Sequence, residues 1–491
     1  MPFGGAGGGF RPVRILVLVA LIAGGILLTR LVEAGRVEPL FLPTPTPTRT
    51  ALSHREEGEA HFAAGDLERS IQAYEQAVRL QPDNAELLAE LARVQTYSSA
   101  LIATADGERD RLQAAKVSVD QAIEVDPDNS YAWTIRTLVY DWLASLEGDL
   151  SAKGEHFRIA QSSADQALFL DPNNSLALAF KAEVFVDQQD YARALDTIED
   201  ALAQDPDRMD VLRVYGTVLE SHGRYDEAID AYGRAAERAP NLTFLYLRIG
   251  ANHRREGRFD EARDYFARAA NINQQLGILD PIPYIAIGRT WLQEGATITA
   301  ARSAESAVSI DPTNPDLLGF LGIAYFKARN YENAEMALRC AVDGCEVADQ
   351  TDVLCVGLAV LNCDEDRLLE LQAQSEGQEL NSVTLGRSFA ELVCESSSIP
   401  DCTDDQVGRL MAGIPGLDLE GESLEYYYTF GSVLAFQKKC ADAENIFAQL
   451  EAGYRTDPIV SAIVAEGRAL CGGEPDQMPE DNSRNDLRRL I

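Results

Sequence analysis

The stretch DVLRVYGTVLESHGRYDEAIDAYGRAAERAPN, Asp210–Asn241, decides the fold of this chain. A glycine near its middle ends a first helix, and a proline near its end stops a second helix and redirects the chain. Small residues stand where two helices must approach closely, and large residues fill the space beside them. The stretch therefore predicts one helical hairpin. Its pattern comprises Leu212, Tyr215, Gly216, Gly223, Ala228, Tyr232, Ala235 and Pro240.

The same pattern returns 34 positions later and marks an internal repeat. The next copy has Tyr246, Ile249, Gly250, Gly257, Ala262, Phe266 and Ala269. We place copies at residues 51–84, 85–129, 130–174, 175–208, 209–242, 243–276, 281–314 and 315–348. Closing prolines are Pro82, Pro127, Pro172, Pro206, Pro240 and Pro312, whereas the sixth copy has Gln274 there.

These positions resemble the motif of the tetratricopeptide repeat family, in its membrane-anchored bacterial type. The resemblance covers residues 51–348 and returns near Leu424, with Gly431, Ala443 and Phe447. It implies an all-α superhelical solenoid of antiparallel hairpins, because each repeat must cover the apolar face of its neighbour. In this family the first helices line a concave groove that holds a partner peptide.

Carried over position by position, the groove takes basic and apolar side chains from consecutive copies. That combination suits an extended partner with carboxylates and a few large side chains. The alternative is a solvated helix face without a ligand. The predicted groove residues are Arg213, Thr217, Glu220, Phe244, Leu247, Arg254, Arg255, Arg289, Leu292, Phe326 and Lys327.

Two copies carry extra residues. The second and third are 45 residues long, with the excess around 104–111 and 146–154. Polar insertions of this kind suit longer first helices or surface loops, and a lateral docking feature is the alternative.

An apolar, uncharged run, ILVLVALIAGGILLT, spans Ile15 to Thr29. With its neighbours it predicts a transmembrane signal anchor over residues 13–32, behind a short cytoplasmic terminus at 1–12. The alternatives are a cleaved signal peptide and a buried core helix. The alternating Pro and Thr after the run indicate an extended linker over residues 33–50. Thus the solenoid is expected outside the cytoplasmic membrane, held by a single pass.

All eight cysteines lie after residue 339, in and around a divergent helical end at 349–471 that precedes a polar tail at 472–491. An even number clustered in one region suggests disulfides in an oxidising compartment. Sequential pairing is preferred; buried thiols or a metal site are the alternatives. The candidates are Cys340, Cys345, Cys355, Cys363, Cys394, Cys402, Cys440 and Cys471.

The net charge of −35 argues against nucleic acid, since a phosphate backbone needs a basic surface. Sequence motifs for catalysis, metals or cofactors are missing, which predicts a protein that is not an enzyme. We therefore expect a membrane-tethered interaction scaffold that holds an unidentified protein or extended peptide. The alternatives are a cell-envelope or cell-wall assembly factor binding peptide or glycan, and a tetratricopeptide adaptor that faces the cytoplasm.

Overall fold

A computed structural model describes residues 12–33, 49–375, 382–397, 404–421 and 423–472. The chain divides into two units, Met1–Thr50 and Ala51–Ile491. The described part of the first unit is essentially one helix, α1, Pro12–Glu33. The predicted terminus, linker and tail lie largely or wholly outside the described residues.

The second unit begins with eight antiparallel hairpins. Within each pair below, the first helix precedes a short turn and the second helix returns. The pairs are α2 Ala51–Ala64 and α3 Leu67–Leu80; α4 Ala85–Ser99 and α5 Ala105–Val125; α6 Ser130–Leu146 and α7 Leu150–Leu170; α8 Ser175–Asp187 and α9 Tyr191–Gln204; α10 Met209–Ser221 and α11 Tyr225–Arg238; α12 Thr243–Arg255 and α13 Phe259–Leu276; α14 Ile282–Glu294 and α15 Thr297–Ile310; α16 Pro315–Lys327 and α17 Tyr331–Val342. The expected all-α solenoid is therefore the observed architecture.

A glycine facing an aromatic ring fixes the spacing inside several hairpins. A Cβ atom added to Gly250 would lie 2.5 Å from the ring of Phe266, and one added to Gly216 would lie 2.8 Å from that of Tyr232. Both rings are buried. The first helix can therefore lie against the ring of the second only because this position has no side chain.

Asparagine side chains begin the first helices of several hairpins. Asn84 accepts hydrogen bonds from the backbone amides of Glu86 and Leu87, and Asn174 accepts one from Ala177. An N-cap of this type satisfies amides that the helix leaves open and is worth about 1 kcal/mol. The turns between repeats are thus set by local chemistry before any packing occurs.

The extra residues of the second and third copies mainly lengthen the second helices. Both α5 and α7 have 21 residues, whereas α9 and α11 have 14. The expectation of longer first helices or loops was therefore incomplete. The reason is that residues 105–111 follow an N-cap at Thr104 and form the first turns of α5, so they lengthen this helix at its start.

After the eighth hairpin the chain leaves the solenoid and then rejoins it. The later elements are α18 Val347–Asp352, a π-helical turn at Val353–Gly357, α19 Glu365–Ser375, α20 Ser382–Ser396, α21 Asp404–Ala412, α22 Leu424–Phe436, α23 Cys440–Tyr454 and α24 Pro458–Gly472. Helix α22 packs directly on α16 and α17. The ring of Tyr426 covers Gly319, where an added Cβ would lie 2.6 Å from it.

Residues 345–414 are therefore an insertion rather than further members of the stack. The two ends of the insertion lie side by side, because Cys345 and Ile414 exchange backbone hydrogen bonds of 2.9 and 2.8 Å. Its helices α18 to α21 pack mainly on one another. The ninth hairpin, α22 with α23, takes the next place in the solenoid, and α24 packs against both of its helices.

Disulfides join Cys340 to Cys345, Cys355 to Cys363, and Cys440 to Cys471. These pairs are the predicted sequential ones. Cys394 is also disulfide-bonded, and its predicted partner Cys402 lies outside the described residues. The last bond ties the start of α23 to the end of α24, so the closing helix is held covalently against the ninth hairpin.

Helix α1 carries exposed apolar side chains, among them Leu16, Leu21 and Leu27. Within the part of the chain that the structure describes, no helix qualifies as long and apolar enough to cross a membrane. The predicted transmembrane anchor is therefore not confirmed.

Replacing Gly250 with alanine should lower the free energy of unfolding by about 1–3 kcal/mol, because the new methyl group must displace the Phe266 ring. Gly233 is the matched control, since it lies inside α11 with open space at its Cβ position. There alanine should be neutral or stabilise by up to about 1 kcal/mol. Denaturant unfolding followed by circular dichroism measures both; equal effects of the two substitutions would contradict the glycine–ring constraint.

Candidate partner-binding surface

The first helices of the six amino-terminal hairpins converge on one another. Tyr97 of α4 stacks on Phe244 of α12 with ring centroids 5.5 Å apart, and it also contacts Phe62 and Trp142. Its hydroxyl donates to Asp210 of α10. The contacts of Tyr97 with Asp210 and Phe244 join residues that are more than a hundred positions apart in the chain. The concave side of these hairpins is therefore closed by its own side chains.

The contacts between first helices that fill the concave side are named the closure, and Arg213 lies at its centre. Its Nη1 and Nη2 atoms donate to the two carboxylate oxygens of Glu183 at 2.7 and 2.6 Å. Tyr97 and Trp142 lie within 6 Å of the guanidinium. The side chains of Arg213 and Glu183 are only 6% and 8% exposed. This paired, bidentate arrangement is the form in which a protein tolerates buried charge.

The predicted groove residues of α10 and the start of α12 are thus largely taken up by internal contacts. Arg213 and Phe244 are buried, and Leu247 is half-buried against the hydrophobic core of the amino-terminal hairpins. Glu220 is ion-paired with Arg255 and accepts hydrogen bonds from neighbouring side chains. These residues lie on the predicted face, but that face is here packed against other first helices.

The predicted residues further along the array remain at the surface. Arg289 is exposed, whereas Arg254, Phe326 and Lys327 are half-buried. All lie in the second halves of α12, α14 and α16. Leu292, one turn beyond Arg289 on α14, is also half-buried. The structure thus separates the predicted groove into a filled part and an open part.

Asp141 is a buried carboxyl group that the sequence reasoning missed. It lies on α6, is 1% exposed, and neither of its oxygens has a hydrogen-bond partner in the described structure. Burial, reinforced by the nearby carboxylates of Asp187 and Glu183, raises the pKa of Asp141 well above its usual range. Ser145, one turn further, donates to Asp187 at 2.8 Å. Burial therefore favours the neutral form of the Asp141 side chain.

Other members of the closure were also missed. Tyr97, Trp142 and Asp210 occupy positions at which the repeat motif allows many residue types. Arg93 and Arg208 lower the pKa of Asp210, against the opposing effect of burial. The only sequence signal for these residues was an aromatic or charged side chain on the inner face of a first helix. Such a side chain does not indicate which distant helix it contacts. Among the described residues, no group of His, Cys, Asp and Glu side chains is arranged to hold a metal ion.

Family models match two parts of the described array. A tetratricopeptide repeat model matches residues 146–209, 181–243 and 216–276, and a second TPR repeat model matches residues 58–95. Together with the paired helices and the glycine–ring contacts, these matches identify the hairpins as tetratricopeptide repeats. The chain therefore contains tetratricopeptide repeats over residues 58–95 and 146–276.

The chain also matches solved structures of tetratricopeptide proteins over part of its length. A thermophilic TPR protein of Thermus thermophilus is 20% identical, with a TM-score of 0.35 over 41% of this chain and 98% of its own. PilW, described as a widely conserved type IV pilus biogenesis factor, is 22% identical, with a TM-score of 0.35 over 44% and 98%. YrrB, described as having an unusual peptide-binding site, is 24% identical, with a TM-score of 0.29 over 43% and 97%. No curated protein sequence matches the chain.

Replacing Asp141 with asparagine should raise the free energy of unfolding at pH 7. A carboxyl group whose pKa is raised by folding must take up a proton when the protein folds. Its contribution to the free energy of unfolding is therefore most favourable at acid pH, and it is lost as the pH rises from about 4 towards the raised pKa. Asparagine needs no proton. The gain should be at least about 1 kcal/mol at pH 7, since one pKa unit corresponds to 1.36 kcal/mol.

The measurement is urea unfolding of both proteins between pH 4 and pH 8. The difference between them should shrink towards pH 4. Asp83→Asn in the exposed turn between the first two repeats is the control and should change stability by less than about 0.5 kcal/mol at every pH. A gain at position 141 that is independent of pH would contradict a neutral buried carboxyl.

Proposed function

We propose that the chain is a non-catalytic scaffold that holds a partner polypeptide against the second halves of α12, α14 and α16. These three segments are named the open face. The observation that carries the proposal is the contrast between two parts of the inner surface. The amino-terminal part is filled by Tyr97, Arg213 and their contacts, whereas the open face keeps side chains at the surface.

The composition of the open face favours a polypeptide partner. Leu292 and Phe326 pack on the neighbouring core but keep part of their apolar surface exposed. Arg254, Arg289 and Lys327 offer charged donors. Helices of this rigid array present such side chains at fixed spacing, which lowers the entropic cost of binding an extended segment. The implied partner is a protein or peptide and not a nucleic acid, given the net charge of −35.

A photo-crosslinking amino acid placed at Leu292 should join the chain to discrete partner proteins in intact cells. Ile298 is the matched control, because it is 66% exposed on the neighbouring second helix α15 and lies outside the open face. We expect crosslinked bands at position 292 that are absent at position 298. Mass spectrometry of those bands identifies the partner.

Equal crosslinking from both positions would contradict the assignment to the open face. If neither position gave discrete bands, whereas a probe at the exposed Phe169 of α7 did, the partner would bind the outer surface and the proposal would be wrong.

We also propose that residues 13–32 tether the array to the cytoplasmic membrane, with the solenoid on the outer side. The support is the uncharged run from Ile15 to Thr29 and the exposure of its aliphatic side chains, such as Leu21 and Ile22. Disulfides near the other end of the chain agree with an oxidising compartment.

Aspartates at Leu21, Ile22 and Ile26 should release the protein from the membrane. Each carboxylate at the centre of a spanning helix costs about 2.5–3.5 kcal/mol of insertion free energy. Full-length protein should stay in the membrane pellet after alkaline carbonate extraction, and the triple variant should appear in the supernatant. Leu52→Asp, at an exposed position of α2, is the control and should leave the protein in the pellet.

The side of the membrane is tested separately by adding protease to intact cells. Cleavage of the solenoid agrees with the proposed topology. Protection of the solenoid in intact cells, with cleavage after lysis, would place it in the cytoplasm and overturn this part of the proposal.

A further inference from the structure

Two arginines of the open face share one side of the groove without a carboxylate between them. Arg254 reaches from α12 towards α14, where its Nη1 lies 3.5 Å from the carbonyl oxygen of Ala286. Arg289 lies three residues beyond Ala286 and hence on the same face of α14. The two guanidinium groups are therefore brought together from successive repeats.

This arrangement is electrostatically unfavourable in the free protein. Burial and the positive charge of Arg289 both lower the pKa of Arg254. Throughout the described ranges, no carboxylate lies within ion-pairing distance of either guanidinium. By contrast, Arg213 is paired with Glu183 and Arg255 with Glu220. In a chain with 78 acidic and 43 basic residues, two adjacent arginines without a carboxylate are an exception that needs a reason.

Ring contacts do not supply the missing negative charge. The guanidinium of Arg254 lies 5.8 Å from the centroid of the Phe266 ring, and that of Arg289 lies 5.8 Å from the centroid of the Phe320 ring. Such contacts orient a guanidinium and contribute about 0.5–1 kcal/mol at exposed sites. They leave both positive charges in place.

A third cation continues the series on the next repeat. Lys327 ends α16 and is half-buried, and burial lowers its pKa although Glu425 partly opposes this. Apolar Leu292 and Phe326 belong to the same stretch of the inner surface. Cations from three successive first helices are thus available to one bound segment.

We propose that the open face binds the side-chain carboxylates of an extended acidic segment in the partner, with Arg254 and Arg289 sharing one carboxylate and Lys327 taking another. This inference rests on the proposed scaffold function and specifies the chemistry of its partner. Planar guanidinium groups match carboxylates with paired hydrogen bonds. Two or more side-chain carboxylates suit cations on three helices better than one terminal carboxylate, which could bind Arg254 and Arg289 together but would leave Lys327 without a contact to the peptide.

The test uses the full-length protein and a fluorescein-labelled, carboxy-terminally amidated ten-residue peptide of alternating Glu and Leu. The matched peptide has Gln in place of Glu and is made both amidated and with a free terminal carboxylate. Fluorescence anisotropy at 50 mM and 300 mM NaCl gives each dissociation constant. We expect the Glu peptide to bind at least tenfold more tightly than either Gln peptide, and more weakly at high salt.

The variant R254E/R289E should weaken binding of the Glu peptide at least tenfold. The control R79E/R302E makes the same change in net charge at exposed positions of the second helices α3 and α15, and it should retain wild-type affinity. Circular dichroism melts of both variants establish that they fold. R254Q/R289Q removes the two charges without reversal and should give an intermediate loss.

Three results of the binding measurements would overturn the inference. The first is that the wild-type protein shows no preference for the Glu peptide. The second is that R254E/R289E and R79E/R302E lose equal affinity for it. The third is that the Gln peptide binds only when its terminal carboxylate is free. Light scattering tests whether a second copy of this acidic chain is the occupant, because a dimer that R254E/R289E dissociates would also overturn it. The crosslinking test at Leu292 is independent of these results, so the scaffold function can stand when the carboxylate assignment fails.

Discussion

The close approach of the two helices in each hairpin is the constraint on which the rest of the structure depends. In several hairpins it depends on a glycine of the first helix that lies opposite a buried ring of the second, as at Gly250 and Phe266. Once the two helices lie this close, their remaining apolar faces point to the neighbouring hairpins, and stacking becomes the only way to cover them. Gly431 and Phe447 repeat the arrangement in the ninth hairpin, beyond the insertion.

Stacking alone would leave an open groove along the whole array, and the protein departs from that outcome in its amino-terminal part. The buried pair of Arg213 and Glu183, with Tyr97 stacked on Phe244, uses the concave surface for internal packing. A buried, bidentate ion pair favours one arrangement of the surrounding helices, since moving either partner away would leave a charge unsatisfied. The amino-terminal hairpins therefore use their inner surface for internal packing, and the surface that remains accessible to a partner lies on α12, α14 and α16.

The sequence predicted the parts of this structure that depend on short-range pattern. Helical hairpins, their turns and the sequential disulfides follow from residues less than about forty positions apart, as with Gly216 and Tyr232 or Cys440 and Cys471. The closure between Tyr97 and Asp210 spans 113 positions and leaves no periodic signal. For the same reason the motif could place Arg213 on the inner face but could not reveal that the face is filled. The insertion was missed because its helices resemble weak repeats, and only the contact of α22 with α16 and α17 shows that the array bypasses them.

The insertion has a consequence for how the protein emerges from the ribosome. Helices α16 and α17 are complete at Val342, but the hairpin that covers them does not begin until Leu424. At 5–20 residues per second, synthesis of the intervening segment takes on the order of ten seconds. During that interval the apolar surface later covered by Tyr426 and Phe430 is exposed to water and to other nascent chains. A chaperone or export factor that shields α16 and α17 for those seconds would protect the chain at its most aggregation-prone stage.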